Sequence, residues 1–214
     1  MTPFRLAVVP GAQPQRWVRT WHERLPDVPL ELVHLAAADA ADALLEGRAD
    51  AALLRLPVDR EHLDAIPLYT ETTVVLVPTD HLLASTGDDD EVAVGDLADE
   101  VVVVPQDDVV GWPSPPTDAH RPATTADAVE LVAAGVGVLV VPQSLARLHH
   151  RKDLTYRTLT DVPTSSVALA WHRDRTTDLV EEMIGIVRGR TANSSRGRGA
   201  TAPPAPAGEP ESSV

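Results

Sequence analysis

The residue types that usually carry catalysis are missing from this sequence or stand at unsuitable spacings. There is no cysteine, which removes thiolate nucleophiles, thiolate metal sites and disulfides. No Gly-x-Ser-x-Gly elbow, HExxH motif or P-loop occurs. His149 and His150 are adjacent, and adjacent imidazoles have the wrong spacing to share a metal on one helix face. We therefore predict no enzyme, no metal and no cofactor.

Two further patterns resemble functional motifs but have structural explanations. Gly135 and Gly137 lack the third glycine of a dinucleotide-binding loop, and they follow a helix-like segment and precede a strand-like one, the reverse of that motif. Gly135 is typical of the residue after a helix end, where φ is positive. The acidic pairs at 107–108 and 181–182 are typical of turns and first helical turns.

A pair of hydroxyls precedes a helix-like segment of the second half. Thr124 and Thr125 are followed by Asp127, and the Thr124 to Asp127 spacing has the form of a capping box. Their hydroxyls therefore either cap the helix or contact a ligand, and the sequence leaves both open.

Composition and charge exclude several classes of partner. The 214 residues are 43% hydrophobic and 23% charged, a composition that is typical of a globular protein with a real core. The formal net charge is -14. A strongly acidic body repels phosphate backbones and argues against DNA binding by the folded part. Neither a membrane-spanning apolar run nor a secretory signal is evident. We expect a cytoplasmic protein without membrane contact.

The coarse pattern predicts an α/β protein. Strand-like runs alternate with segments of helical period, which favours parallel strands with helices on the sheet faces. Strands are expected over residues 4–10, 30–35, 49–55, 66–78, 101–104, 136–141, 154–160 and 166–171. Helices are expected over residues 13–25, 38–46, 127–134, 143–148 and 177–188. The β-prone run 66–78 is long enough to pass from one lobe into another. Residues 188–214 lack apolar periodicity and predict a disordered tail.

Five segments stand in a defined order along the chain. They are LAVVPG (6–11), GRADAALL (47–54), IPLY (66–69), PTDH (78–81) and LVAAGVGVLVVP (131–142). Their order and spacing, within residues 4–187, resemble the effector-binding domain of LysR-type transcriptional regulators.

The resemblance implies a type-2 periplasmic-binding-protein-like α/β fold, in which two lobes are joined by two crossover segments and enclose a ligand cleft. We place lobe one at 1–77 plus 155–187 and lobe two at 78–154, together a LysR-type substrate-binding domain over 1–187. Family regulators carry a helix-turn-helix module ahead of this domain. Because Met1 directly precedes the first expected strand, we expect either a stand-alone domain without a DNA-reading module or a start site that lies upstream.

The implied cleft brings nine residues to the ligand. They are Gly11, Ala12, Gln13, Arg55, Pro57, Gln106, Trp112, Thr124 and Thr125. The first three belong to a loop that offers backbone donors and an amide, although relatives commonly place a hydroxyl there. Arg55 either pairs with an anionic ligand or forms a salt bridge within lobe one. Trp112 lies in a long loop and either closes over the cleft or is an exposed loop aromatic.

The function implied is effector sensing. The domain would bind a small, anionic metabolite and form a homodimer, and its folded part would not contact DNA directly. Two alternatives stay open: an enzyme acting on a small metabolite on the same fold, or an interaction module that docks on a full-length regulator. The sequence reveals neither the effector, nor the target genes or partner protein, nor the role of the tail.

Overall fold

The chain folds into two α/β lobes, each built on one sheet, in a computed structural model that describes residues 2–85, 91–113 and 121–190. The strands are β1 (Phe4–Val8), β2 (Leu30–His34), β3 (Ala51–Arg55), β4 (Leu63–Glu71), β5 (Thr73–Pro78), β6 (Val92–Ala93), β7 (Leu139–Pro142), β8 (Leu154–Thr160) and β9 (Ser165–His172). The helices are α1 (Gln15–Arg24), α2 (Ala40–Leu45), α3 (Thr125–Ala133), α4 (Gln143–Leu148) and α5 (Asp178–Val187).

Lobe one contains a five-stranded sheet in the order β2-β1-β3-β9-β4. β1 is parallel to β2 and β3, whereas β9 is antiparallel to β3 and β4. On one side of this sheet, fully buried Trp21 of α1 and Met183 of α5 belong to the same core cluster, and the ring of Trp21 stacks on Phe4 at 4.5 Å. Ala43 and Leu44 of α2 belong to a second cluster. The βα alternation thus buries both faces of the sheet, as the sequence predicts.

Lobe two contains a four-stranded sheet in the order β6-β8-β5-β7. Its core joins Val74 and Leu76 of β5 to Val129 and Val132 of α3. The strand expected over 101–104 forms only one isolated bridge, between Val102 and Val138. The β-prone valines therefore border this sheet without adding a full strand.

The chain crosses between the sheets at two places. The first lies at Thr72, between β4 and β5, because β4 pairs with β9 in the first sheet and β5 pairs with β7 and β8 in the second. The second lies at 161–164, between β8 and β9. The two segments are joined directly, since the Thr73 hydroxyl donates to the Pro163 carbonyl at 2.8 Å.

These crossings correct the lobe boundaries expected at 77 and 155. β5 and β8 pair with each other in the second sheet, so both belong to lobe two. Lobe one therefore comprises residues 2–72 together with residues 165–190. Because the β propensity of residues 66–78 is uninterrupted, the sequence gives no signal of the break at Thr72.

The start of the expected tail is ordered. Arg188 caps the end of α5, and the Arg190 N–H donates to the Gly185 carbonyl at 2.9 Å. Residues 191–214, which hold the rest of the predicted disordered tail, lie outside the described residues. Among the described residues, none of the helices has the length and the apolar character that a membrane span requires.

Candidate functional site

Two cavities lie between the lobes, on either side of a close contact between Gly11 and Ser144. A Cβ atom placed on Gly11 would lie 2.4 Å from Ser144 Oγ and 3.1 Å from Arg55 Nη2. Pro10 and Leu145 line one cavity, whereas their neighbours Gly11 and Ser144 line the other. The β1–α1 loop and the start of α4 therefore divide the cleft between the lobes into two chambers.

The first cavity, the apolar chamber, has a volume of about 440 Å³. Its apolar walls are formed by Ala36, Ala37, Ala38, Val109, Leu145 and Leu148. The alanines belong to lobe one and the other three residues to lobe two, so a molecule held here would touch both lobes. Its polar lining includes four residues predicted from the sequence, which are Arg55, Gln106, Thr124 and Thr125. Asp107, which follows Gln106 in the chain, also lines it.

Arg55 borders the apolar chamber, but lobe one neutralises its charge. The guanidinium forms an ion pair with Glu71, and both side chains are only 7% exposed. Nη1 also donates to Ser165 Oγ at 2.8 Å, and Nη2 donates to the Pro10 carbonyl at 3.1 Å. Of the two roles expected for Arg55, the structure supports the salt bridge within lobe one.

The hydroxyls of Thr124 and Thr125 are also engaged within the protein. Thr124 Oγ1 accepts from the Asp127 N–H at 3.1 Å and donates to Asp127 Oδ2 at 2.8 Å, forming the expected capping box of α3. Thr125 Oγ1 donates to Asp107 Oδ1 at 2.9 Å. Both residues border the chamber, yet their hydroxyls form hydrogen bonds within the protein at the start of α3.

The remaining polar edge of the apolar chamber is held by loop contacts. Gln106 Nε2 donates to the Arg121 carbonyl at 3.3 Å. The carboxylate of Asp108 accepts from the backbone N–H groups of Val110, Gly111 and Trp112. This edge therefore carries the carboxylates of Asp107 and Asp108 together with His149. The charge of Arg55, the one arginine in this lining, is already paired with Glu71.

The second cavity, the cationic chamber, has a volume of about 470 Å³. Six of its lining residues are Arg16, Trp17, Tyr69, Gln143, Ser144 and Arg147. Arg16 lies on α1 of lobe one, with its Cζ 5.0 Å from the centre of the Trp17 ring. Arg147 lies on α4 of lobe two, and its Nε donates to the Tyr156 hydroxyl at 3.3 Å. Neither arginine forms an ion pair with any residue that the structure describes.

Two polar atoms of the cationic chamber's lining residues are buried without a hydrogen-bond partner among the described residues: Trp17 Nε1 and Ser144 Oγ. A buried group without a partner costs about 1–3 kcal/mol. Such groups are rare in folded proteins and point to a ligand or a movement that satisfies them.

Tyr69 adds a donor to the same chamber. Burial, followed by the nearby negative charge of Glu71, raises the pKa of Tyr69. The phenol therefore keeps its proton throughout the neutral range and can donate a hydrogen bond to an anion. Gln13, predicted from the sequence, also lines this chamber.

Three predicted residues lie elsewhere. Ala12 packs against the core of lobe one, and Pro57 is exposed outside the linings of both chambers. Trp112 packs against the lobe-two cluster that includes Val75 and Val140, and it lines neither chamber.

A potential metal-binding group lies outside both chambers. Among the described residues, ligand atoms of Asp59, Glu61 and His62 lie within 4.8 Å of one another, and all three residues are exposed. His62 Nδ1 lies 3.1 Å from Asp59 Oδ2, and this hydrogen bond raises the pKa of His62. A surface hydrogen bond explains the group, and we assign no metal to it.

Sequence reasoning missed the residues that distinguish the cationic chamber. Trp17 lies in the expected helix 13–25, and Ser144 and Arg147 lie in the expected helix 143–148, where the sequence indicates no ligand role for them. The available signal was local: Ser144 and Arg147 stand three residues apart, directly after a buried strand that ends at Pro142. The approach of Gly11 that buries the Ser144 hydroxyl depends on lobe packing, which no local pattern reveals.

Curated relatives of the chain are transcriptional regulators. It is 26% identical over 184 residues to the HTH-type transcriptional regulator AlsR of Bacillus subtilis, covering 79% of this chain and 59% of AlsR. It is also 26% identical over 183 residues to the Hca operon transcriptional activator HcaR of Escherichia coli, covering 79% and 60%. The matches thus span about three fifths of each relative's length.

Solved structures share the fold. The effector-binding domain of BenM with its effector benzoate matches with a TM-score of 0.70 and 23% identity, covering 94% of this chain and 96% of that one. The reduced form of OxyR matches with a TM-score of 0.71 and 20% identity, covering 90% and 97%. The type-2 periplasmic-binding-protein-like fold expected from the sequence is confirmed.

The model of the LysR substrate-binding domain matches residues 2–192, a range that includes all of the described residues. The cleft between two lobes and the regulators among its relatives agree with that match. The chain therefore belongs to the LysR substrate-binding domain family.

Proposed function

We propose that this chain is an effector-sensing domain, which binds a small organic molecule in the apolar chamber. The observation that carries the proposal is a cavity of about 440 Å³ with walls from both lobes. Small-molecule sites are commonly about 300–1000 Å³ and mostly apolar. A ligand that contacts both lobes changes the relative free energies of their arrangements, which is the physical basis of sensing.

The chamber favours an effector with an apolar body. Its arginine is already paired with Glu71, and its rim carries Asp107 and Asp108. A carboxylate placed here would meet no unpaired cation and two like charges, so for this chamber we propose an uncharged ligand rather than an anionic one. Benzoate is the effector of BenM; for this chain, uncharged aromatic and branched aliphatic molecules are the first compounds to test.

Binding rather than catalysis is the proposed activity. The relatives are transcriptional regulators, and the hydroxyls and the arginine of the apolar chamber are engaged in contacts within the protein. We further propose that the domain acts in the cytoplasm as a homodimer and that its folded part does not contact DNA. Light scattering tests the dimer, and a monomeric mass at micromolar concentration contradicts it.

Thermal denaturation with a compound panel tests the effector site. A compound present at a hundred times its dissociation constant stabilises the fold by about 2.7 kcal/mol. Leu148→Glu places a charge in the apolar wall, and we expect it to remove the shift. Leu82→Glu is the matched control, because Leu82 is 85% exposed and lies outside both chambers. A panel without a shift, or equal shifts in both variants, contradicts the proposal.

A further inference from the structure

The polar side chains of the apolar chamber differ in the hydrogen bonds that they still have free for a ligand. We propose that the effector is an uncharged molecule with a hydroxyl group on an apolar body, and that Asp107 accepts the hydrogen bond of this hydroxyl. This ligand class rests on the proposed function, effector binding in the apolar chamber, and adds the head group that the chamber selects.

Most side-chain donors of the chamber are already used within the protein. Arg55 donates to partners in lobe one and is ion-paired with Glu71. The hydroxyls of Thr124 and Thr125 donate to neighbouring carboxylates, and Gln106 Nε2 donates to a backbone carbonyl. These side chains therefore have little donor capacity left for a ligand that only accepts hydrogen bonds.

One carboxylate at the rim keeps a free acceptor. Asp107 Oδ1 accepts from Thr125 Oγ1 at 2.9 Å, and Asp107 Oδ2 has no hydrogen-bond partner among the residues that the structure describes. Asp108 differs, because its two oxygens accept from three backbone N–H groups. Of these two carboxylates, Asp107 is thus the one that is able to accept a hydrogen bond from a ligand.

The start of α3 does not reverse this preference for a donor. A helix N-terminus favours negative charge, and the lining includes Thr124, Thr125 and Ala126 at this position. The protein supplies that negative charge itself, because Asp127 lies in the first turn of α3 and Asp107 is hydrogen-bonded to Thr125. An added anion would meet both carboxylates.

Desolvation of Asp107 provides the selectivity. Asp107 is exposed, so water hydrates its free oxygen until a ligand fills the chamber. A ligand hydroxyl replaces the lost hydrogen bond, whereas an ether or a carboxylate leaves the oxygen desolvated, which is costly. Sites that form a hydrogen bond with a substrate hydroxyl reject analogues without it for the same reason. Leu145 and Leu148 contact the apolar body of the ligand.

Isothermal titration of the full chain with three compounds of the same phenyl body tests the head group. Benzyl alcohol donates a hydrogen bond, benzyl methyl ether only accepts, and benzoate is an anionic acceptor. We expect benzyl alcohol to bind at least about tenfold more tightly than the ether, the effect of one hydrogen bond to a charged group, and benzoate to bind no better than the ether.

A substitution at Asp107 assigns the preference to its carboxylate. Asp107→Ala should reduce the affinity for benzyl alcohol to that for the ether and leave the affinity for the ether unchanged. Asp96→Ala is the matched control, because Asp96 is also exposed, accepts from the Ala93 N–H at 3.0 Å and lies outside both chambers. The comparison of the three compounds on the unsubstituted chain needs no variant, so it decides the head group even if Asp107→Ala does not fold.

Leu148→Glu separates this inference from the proposed function. Binding that Leu148→Glu removes takes place in the apolar chamber, whichever head group the compound carries. If the ether or benzoate binds there as tightly as the alcohol, or if Asp107→Ala and Asp96→Ala bind the alcohol equally, the role of Asp107 is wrong and the effector site stands. If none of the three compounds binds, or if Leu148→Glu binds all of them normally, both are contradicted.

Discussion

Arg55 and Glu71 form a buried ion pair at the point where lobe one meets both crossover segments. Glu71 is the last residue of β4, directly before the first crossing at Thr72. Ser165, whose hydroxyl accepts from Arg55 at 2.8 Å, is the first residue of β9 after the second crossing. One guanidinium therefore fixes the lobe-one ends of both connections between the lobes.

Removing one partner of this pair should strongly destabilise the fold. We expect Glu71→Gln and Arg55→Met each to lower the free energy of unfolding by about 3–5 kcal/mol, because each leaves a buried charge uncompensated. Urea denaturation measures the change. Arg48→Met is the control, since the Arg48–Glu46 pair is 48% and 60% exposed and should contribute at most about 1 kcal/mol. Equal effects at the two sites would contradict the assignment.

The sequence identifies Arg55 as a candidate for an ion pair, but it does not identify Glu71 as the partner. Glu71 stands 16 residues after Arg55, and the two meet because β9 lies between β3 and β4 in the sheet. Strand order of this kind is set by long-range pairing, which a local pattern does not contain. From the sequence alone Arg55 therefore has two possible roles, and the sheet order brings it to Glu71.

Local signals predicted most of the elements, and their errors have local causes. The helix 143–148 and the strand 154–160 agree with the structure at both ends. The sequence predicts one strand over 66–78, but the run divides at Thr72 because its two parts pair in different sheets. Periodicity thus identifies a strand, whereas only the pairing partner determines the lobe to which it belongs.

Thr124 should contribute to stability rather than to effector binding. We expect Thr124→Ala to lower the free energy of unfolding by about 1 kcal/mol, the usual effect of losing a helix N-cap, and to leave effector affinity unchanged. Thr177→Ala is a matched control, because Thr177 caps α5 by accepting from the Val180 N–H at 3.3 Å, outside both chambers. Denaturation and thermal shift with a hit compound measure the two effects. A much larger loss of affinity in Thr124→Ala than in Thr177→Ala would show that its hydroxyl contacts the effector.

Ser144→Ala should stabilise the unliganded protein. The substitution removes a buried hydroxyl that has no partner among the described residues, and we expect a gain of about 1 kcal/mol in the free energy of unfolding. Ser165→Ala is the contrasting variant, since it removes the acceptor of the 2.8 Å hydrogen bond from Arg55 and should destabilise. A loss of stability in Ser144→Ala would show that its hydroxyl is already satisfied.

Gly11 should tolerate no side chain, for two separable reasons. Its φ is +83°, and an added Cβ would lie 2.4 Å from Ser144 Oγ. The positive φ alone costs an L-residue about 1–2 kcal/mol, and the clash adds to this or forces the lobes apart. Gly135→Ala isolates the first cost, because Gly135 has φ +75° and nothing within 4 Å of the added Cβ.

We therefore expect Gly11→Ala to lower the free energy of unfolding by more than Gly135→Ala does. Ser144→Ala in the same chain should recover part of the difference, because the nearest atom in the clash is the serine hydroxyl oxygen, although Ser144 Cβ, at 3.1 Å, stays close. A double-mutant cycle by urea denaturation gives the interaction energy between the two positions. An interaction energy near zero would mean that the lobes do not meet at Gly11 and Ser144 in solution, and that the two chambers form one continuous cleft.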